Sequence, residues 1–285
     1  MVIETYRPLL ETYAYNILGS YEDAKDVVQD VWLKQLEKPV EDMENPRAYL
    51  VRSVINHAIN VKKRQHKFRK DYPGNWLPEP IATDRADIFL ERREILSYSL
   101  MVLMERLTPK ERGVFILKEA YNYSHKEIAE TLDISIDNSR QLYRRGKDKL
   151  RGEEVFTEKD TQNPEQLEQL LFAIQNGEMA DLEVLLHKDI SITSDGGGKV
   201  SAALNVVSGT KSASKFLFGI FRKFYENVPE VTIAISEVNN RPALFYSYEN
   251  KVVNCMFLDM KEGKIANVYF VRNPEKLKNL RKNNI

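Results

Sequence analysis

From residue 2 to residue 150 the apolar positions recur every third or fourth residue, which is the spacing of one helix face. Beyond residue 230 they alternate, which is the spacing of a strand. The first helix is predicted over Ile3 to Leu18, with Leu9, Leu10, Ala14, Ile17 and Leu18 facing inward. Gly19 ends it, and Ser20 with Asp23 opens the next in the manner of a capping box. That second helix, Asp23 to Leu36, turns Ala24, Val27, Val28 and Val31 to the core. Its other face holds Asp26, Gln29, Asp30 and Leu33, with Trp32 at the margin, and fits either a solvated surface or the dock of a protein partner. Asn45-Pro46 starts a third helix, with a cap ahead of a Pro at the first helical position. Leu50, Val51, Val54, Ala58 and Val61 form its inner stripe. Arg52, Asn56, Asn60 and Lys63 recur on the outer side, with Lys62 beside them.

The pattern breaks from Asp71 to Asp84, where Pro73, Gly74, Pro78 and Pro80 mark a linker around Trp76, whose indole needs a place to bury. Helix is predicted again from Ala86 to Leu107. Thr108-Pro109-Lys110-Glu111 caps a further one. The stretch Tyr121 to Arg151 then reads as a helix-turn-helix. Ser124 and Glu127 form a capping box, Ile128, Ala129 and Leu132 an apolar face, and Asp133 to Ser135 the turn. A second helix starts at Ile136 and carries Arg140, Gln141, Arg144 and Arg145, suited to base edges and phosphates in a DNA groove. Asp133 stands where such turns favour Gly, and Ser139 where an apolar plug is usual.

In the second half, helices are predicted over Pro164 to Gln175, Glu178 to Leu186 and Lys211 to Tyr225. VTIAISEV, ALFYSYE, KVVNCMFLDM and KIANVYFV read as strands, with turns at Asn239-Asn240, Glu249-Asn250 and Glu262-Gly263. Helices on a curved antiparallel sheet make an α+β domain. A filled aromatic core and an open pocket that takes a small molecule both fit its concave face.

Charge sharpens the first half of this picture. The 285 residues carry a formal net charge of zero, so there is no uniformly basic coat. Yet Arg47 to Lys70 holds eight Lys or Arg residues and no Asp or Glu, which points to an anionic partner, nucleic acid above all. The single cysteine, Cys255, lies in an apolar run and is expected to be buried and unreactive. No signal peptide or membrane-length apolar run is visible, so a cytoplasmic protein is expected. His187, Asp195, Glu237, Glu249 and Asp259 are the acid and base groups of the second half. No spacing pairs them, and His187 reads as a helix-end surface residue. The Gly196-Gly197-Gly198-Lys199 run lacks the frame of a phosphate loop and reads as a turn between strands. No catalytic residue, metal or cofactor is expected.

Three stretches together carry a family resemblance. DAKDVVQDVWLKQL resembles the helix with which sigma region 2 docks on core RNA polymerase. NPRAYLVRSVINHAINVKKRQ resembles the helix that captures and melts the minus-ten element. LTPKERGVFILKEAYNYSHKEIAETLDIS with SRQLYRRGKDKL resembles region 4, which reads the minus-thirty-five element. The first half is therefore identified as similar to a sigma factor of the extracytoplasmic-function class, and the second half to the SnoaL-like, nuclear-transport-factor-2-like cone fold. The resemblance implies two all-α sigma domains and an α+β domain: region 2 over 1–70, a linker over 71–95, region 4 over 96–152, a connector over 153–162 and the SnoaL-like domain over 163–285. It implies core RNA polymerase and promoter DNA as partners and no membrane. A DNA-binding regulator with a ligand-sensing C-terminal domain is the other reading. Three short signatures fit the subgroup with this fused domain: Trp76-Leu77-Pro78-Glu79-Pro80, Asp195-Gly196-Gly197-Gly198-Lys199 and Asn273-Pro274-Glu275-Lys276-Leu277. They imply contacts through which the fused domain regulates the sigma half, in place of a separate anti-sigma protein as the main control.

Overall fold

A computed structural model of the protein describes residues 2–37, 44–68, 71–83, 90–151, 164–176, 179–224, 226, 228 and 230–280. The connector expected over 153–162 lies outside the described residues. The chain divides into two compact units, residues 1–70 with 87–155, and residues 71–86 with 156–285. The stretch expected as a linker therefore splits near residue 86, and its first part belongs with the C-terminal unit.

The first unit is helical: α1 (Val2–Leu18), α2 (Tyr21–Glu37), α3 (Pro46–Phe68), α4 (Tyr98–Leu103), α5 (Pro109–Glu119), α6 (His125–Leu132) and α7 (Ile136–Leu150). Its helix starts are where the capping residues put them. Asn45 Oδ1 accepts from Ala48 N at 3.1 Å, and both Thr108 with Glu111 and Ser124 with Glu127 close full capping boxes. Asp133 takes the left-handed conformation at φ 52°, so the turn forms without glycine.

The helix expected over Ala86 to Leu107 is corrected. Residues 84–89 lie outside the described residues, Arg92–Glu94 is a single 3-10 turn, and α4 starts only after Ser97. The reason lies in the backbone's partners. Asn16 Nδ2 donates to Glu94 O at 2.7 Å, Leu96 N donates to Asn16 Oδ1 at 3.2 Å, and Glu91 N donates to Thr12 Oγ1 at 2.9 Å. Backbone groups that a helix would pair internally are bound to side chains of α1 instead.

The second unit contains α8 (Pro164–Asn176), α9 (Met179–Leu185), β1 (Leu186–Asp195), β2 (Val207–Ser208), α10 (Thr210–Phe224), β3 (Thr232–Val238), β4 (Arg241–Tyr248), β5 (Lys251–Lys261), β6 (Lys264–Val271) and α11 (Pro274–Leu277). The strands form one six-stranded sheet in the order β2-β1-β6-β5-β4-β3. β1 runs parallel to β6, so the sheet is mixed where an antiparallel one was expected. β1 was hidden because a helix leads straight into it and its residues are mostly polar. The three expected turns all form, with positive φ at Asn239, Asn240, Glu249, Asn250, Glu262 and Gly263. One sheet face packs Leu244, Tyr246, Met256, Leu258 and Phe270 against apolar residues of α8 and α10. Among the described residues no helix is long and apolar enough to cross a membrane, and no group of three or more His, Cys, Asp or Glu is placed to hold a metal.

Candidate nucleic-acid and partner interfaces

The α2 face divides as its periodicity demands. Ala24, Val27, Val28 and Val31 are buried, while Asp26, Gln29, Asp30 and Leu33 are exposed and Trp32 is half-buried. Leu33 keeps 55% of its surface open. Asp30 Oδ2 lies 2.9 Å from His57 Nε2 of α3.

On α3, Arg52, Asn60 and Lys63 are exposed along one side. Two expected members of that stripe are placed differently. Lys62 is 3% exposed, and its ammonium donates to Leu18 O and to Glu105 Oε1, both at 2.8 Å. Its alkyl stem lies inside and its charge is spent within the protein, so in this conformation it offers nothing to DNA. Asn56 is half-buried and donates to Thr131 O, in α6, at 2.6 Å. Val61, expected in the buried stripe, is only half-buried.

α7 presents Arg140, Gln141, Arg144 and Arg145 to solvent, with a groove along Ser135, Asp137, Asn138, Arg140, Gln141 and Arg144. The helix is held from behind. Ser139 is fully buried, and its hydroxyl sits 2.9 Å from His125 Nδ1. A polar contact thus replaces the apolar plug between the two helices. The His125 pKa is held below its ordinary value, first by burial and then by the charges of Lys118 and Arg140. Lys149 Nζ donates to Glu111 Oε2 at 2.6 Å, tying the end of α7 to the start of α5.

Between the α1–α3 bundle and α5 lies a buried polar lock that the sequence did not disclose. Arg112 is fully buried, with Nε and Nη2 donating to Asn16 O at 3.0 and 2.8 Å and Nη1 paired with Glu105. Asn16 and Leu18 belong to the last turn of α1, whose carbonyls have no helical partner. Two cations therefore cap one helix C-terminus, Lys62 from α3 and Arg112 from α5, with Glu105 joining them. α5 approaches α3 so closely that a Cβ on Gly113 would lie 2.6 Å from Ile59 Cδ1.

In the second unit, the three short signatures meet. Asp195, at the end of β1, is fully buried. Its carboxylate accepts from Tyr72 Oη at 2.6 Å, from Leu77 N at 2.9 Å and from Lys276 Nζ at 2.6 Å. The Lys276 ammonium also donates to Leu77 O and lies 4.0 Å from the centroid of the Trp76 ring. Trp76 itself is half-buried, and the deep anchor is Leu77 at 1% exposure. Asn273 caps α11, accepting from Glu275 N at 3.1 Å, and donates to Tyr72 Oη at 3.1 Å. Gly197, at φ +61°, is the point of closest approach, since a Cβ there would overlap the Asn273 side chain. Lys199 pairs with Glu275 across the same cluster. Leu277 is buried.

The contact runs further than the signatures. Asn279 Nδ2 donates to Glu79 Oε1 at 3.0 Å, Ile81 N to Asn239 Oδ1 at 3.0 Å, and Thr83 N to Glu237 O at 2.9 Å. Ala82 forms an antiparallel bridge with Val238 at the sheet edge. Residues 72–83 are thus a strap laid on the C-terminal domain. Tyr72, Thr83, Glu237, Asn239 and Asn279 were missed as members, because a Pro-rich run reads as linker and gives no periodic signal.

The titratable groups of this unit do not converge. His187 is corrected from a surface residue to a buried one on β1, where its Nδ1 accepts from Asp189 N at 3.1 Å. Asp259 Oδ2 accepts from Tyr269 Oη at 2.9 Å, and Asp195 and Glu237 bind the strap. Cys255 is buried, which pushes its thiol pKa well up.

Comparison with known proteins agrees with this layout. The family described as Sigma-70 region 2 matches residues 2–68, and Sigma-70, region 4 matches residues 97–150. The chain is similar to the ECF RNA polymerase sigma factor SigJ of Mycobacterium tuberculosis, 26% identical over 286 residues, covering 96% of this chain and 91% of that one. It is also similar to the probable ECF RNA polymerase sigma factor SigI of Mycobacterium tuberculosis, 23% identical with 97% and 93% covered. The crystal structure of Mycobacterium tuberculosis SigJ shares the fold, with a TM-score of 0.77 at 24% identity over 97% of each chain.

Proposed function

The chain is an RNA polymerase sigma factor of the extracytoplasmic-function class, with sigma-70 regions 2 and 4 followed by a mixed α/β domain, and from that premise we propose that this last domain sets promoter competence by holding residues 72–83. A sigma factor is an initiation factor, not an enzyme, and it works with core RNA polymerase on promoter DNA. The exposed α2 face, Asp26, Gln29, Asp30, Trp32 and Leu33, is the proposed polymerase dock. Arg52, Asn56, Asn60 and Lys63 of α3 serve the downstream promoter element. Arg140, Gln141, Arg144 and Arg145 of α7 serve the upstream one. As a partner of bacterial RNA polymerase, it would act in the cytoplasm.

The observation behind the regulatory reading is the Asp195 carboxylate, which binds Tyr72, Leu77 and Lys276 at once. The bound segment lies in sequence between the two DNA-reading regions. Fixing it shortens the free chain that joins them and biases the states the two regions can share. The C-terminal domain is thereby a built-in governor, and a small-molecule ligand would act by changing its hold.

Hydrogen exchange with run-off transcription tests this. Leu77, Ile81 and Thr83 amides should be protected in the full chain and lose protection in a chain ending at residue 152. Gly197→Asp should reproduce part of that loss and change the transcript yield. Equal protection in the full and shortened chains, with unchanged transcription, would remove the strap's role.

A further inference from the structure

The basic helix α7 carries two acids, and they stand in different places. Asp148 lies near its C-terminal end and pairs with Arg151 at 3.5 Å. Asp137 lies in its first turn, three residues before Arg140, four before Gln141 and seven before Arg144. That spacing puts all four on one helix face, and all four line the groove along α7. Asp137 Oδ1 accepts from Arg140 Nη1 at 3.1 Å, with the two side chains 91% and 64% exposed.

An acid in the first turn commonly serves the helix itself, as a cap or by opposing the dipole. Here the cap is Ser135, whose Oγ accepts from Asn138 N at 3.1 Å. The Asp137 carboxylate turns along the face to Arg140 instead, and an ion pair this exposed adds little to stability. On a surface that meets DNA phosphates the same carboxylate is unfavourable, because it repels the backbone and offsets the charge of Arg140. Its place in the groove therefore needs a partner with an N–H to offer.

The base edges of the major groove present two such groups, cytosine N4 and adenine N6. An ionised carboxylate only accepts, so guanine O6 and N7 and thymine O4 repel it. Adenine N6 sits beside N7, an acceptor that opposes the second carboxylate oxygen. Cytosine N4 sits beside a C–H, and cytosine is the match. With Nη1 held by Asp137, Arg140 turns the Nε and Nη2 edge of its fork to guanine O6 and N7.

We propose that Asp137 is a specificity-determining residue of this helix, accepting from the N4 amino group of one cytosine in the upstream promoter element. Its bond to Arg140 holds that guanidinium over a guanine of a neighbouring base pair. The proposal rests on the reading of α7 as the helix that serves this element.

The test is selection of promoters by the holoenzyme from a library randomised across the upstream element, with the downstream element fixed. The wild-type chain should enrich cytosine about tenfold at one position. Asp137→Ala should lose that preference and weaken the guanine preference beside it. Asp137→Asn should move the same position from cytosine to adenine, since an amide matches N6 and N7 together. A change of base identity is a readout that a role in helix stability would not move. Unchanged base preferences in both Asp137 variants, or a uniform loss across all sequences, overturn the proposal. Arg144→Ala, run in the same selection, separates the two readings. If it alters the selected sequences while the Asp137 variants do not, the proposal alone fails; if it leaves them unchanged, the assignment of α7 to this element fails first.

Discussion

Arg112 shows how much one side chain carries in the sigma unit. Its buried guanidinium satisfies a carbonyl at the end of α1 and shares the partly buried Glu105 with Lys62. Replacing it with Ala leaves the Asn16 carbonyl without its two guanidinium donors and takes one of two cations from Glu105. Breaking a buried pair in this way costs about 3–5 kcal/mol. Urea unfolding of the Arg112→Ala chain should show that loss for the sigma unit, and a loss below about 1 kcal/mol would mean the lock is not a main support. Residue-level readings from sequence failed where a cation turned inward. Lys62 sits one step from the exposed Lys63, and the positions of Leu18 O and Glu105, both distant in sequence, decide that its head stays inside. Ser139 was legible as an anomaly, but its partner His125 was not, since the pairing requires both helices in place.

At the scale of elements, the capped helices were the most legible part, because caps and turns act locally and the sequence prints them next to each other. The broken stretch after residue 90 was not, because its backbone bonds go to α1. The two exposed faces give separable expectations. On α7, Arg140→Ala and Arg144→Ala should each cost about 1–3 kcal/mol in promoter binding and relax preference at one base position. Wild-type footprints in both variants would mean α7 is not the reading helix. On α2, Asp30→Arg combined with Leu33→Ala alters only exposed positions, so the helix should persist by circular dichroism. Co-elution with core polymerase should be abolished, and unchanged co-elution would displace the dock from this face.

For the whole molecule, distance is the decisive quantity. Promoter elements some 25 base pairs apart are separated by about 85 Å along the helix axis at 3.4 Å per pair. A compact unit of about 140 residues has a radius of gyration of only about 14 Å. Regions 2 and 4 occupy one such unit here, with Asn56 of α3 bonded to Thr131 of α6 and Arg112 closing the space between α1 and α5. Reading both elements together thus requires that unit to open. Dyes on cysteines introduced at the exposed Lys67 and Lys147 should report high energy transfer in the free protein and a fall on adding core polymerase. Cys255 is buried and will not compete for the label. Constant transfer through initiation would contradict the opening. The strap is the whole-molecule feature that sequence concealed, since its partners lie more than a hundred residues away and prolines mask its strand-like hold.

That separation has a consequence during synthesis. Leu77 waits for Lys276, which follows it by 199 residues. At about 5–20 residues per second, a ribosome needs roughly 10–40 s to supply it. Once α7 is complete, and until Lys276 is made, the nascent chain carries both sets of DNA-reading helices and, between them, a segment still without that partner. Under the proposed role of the strap, control is therefore completed only after both DNA-reading regions have been made.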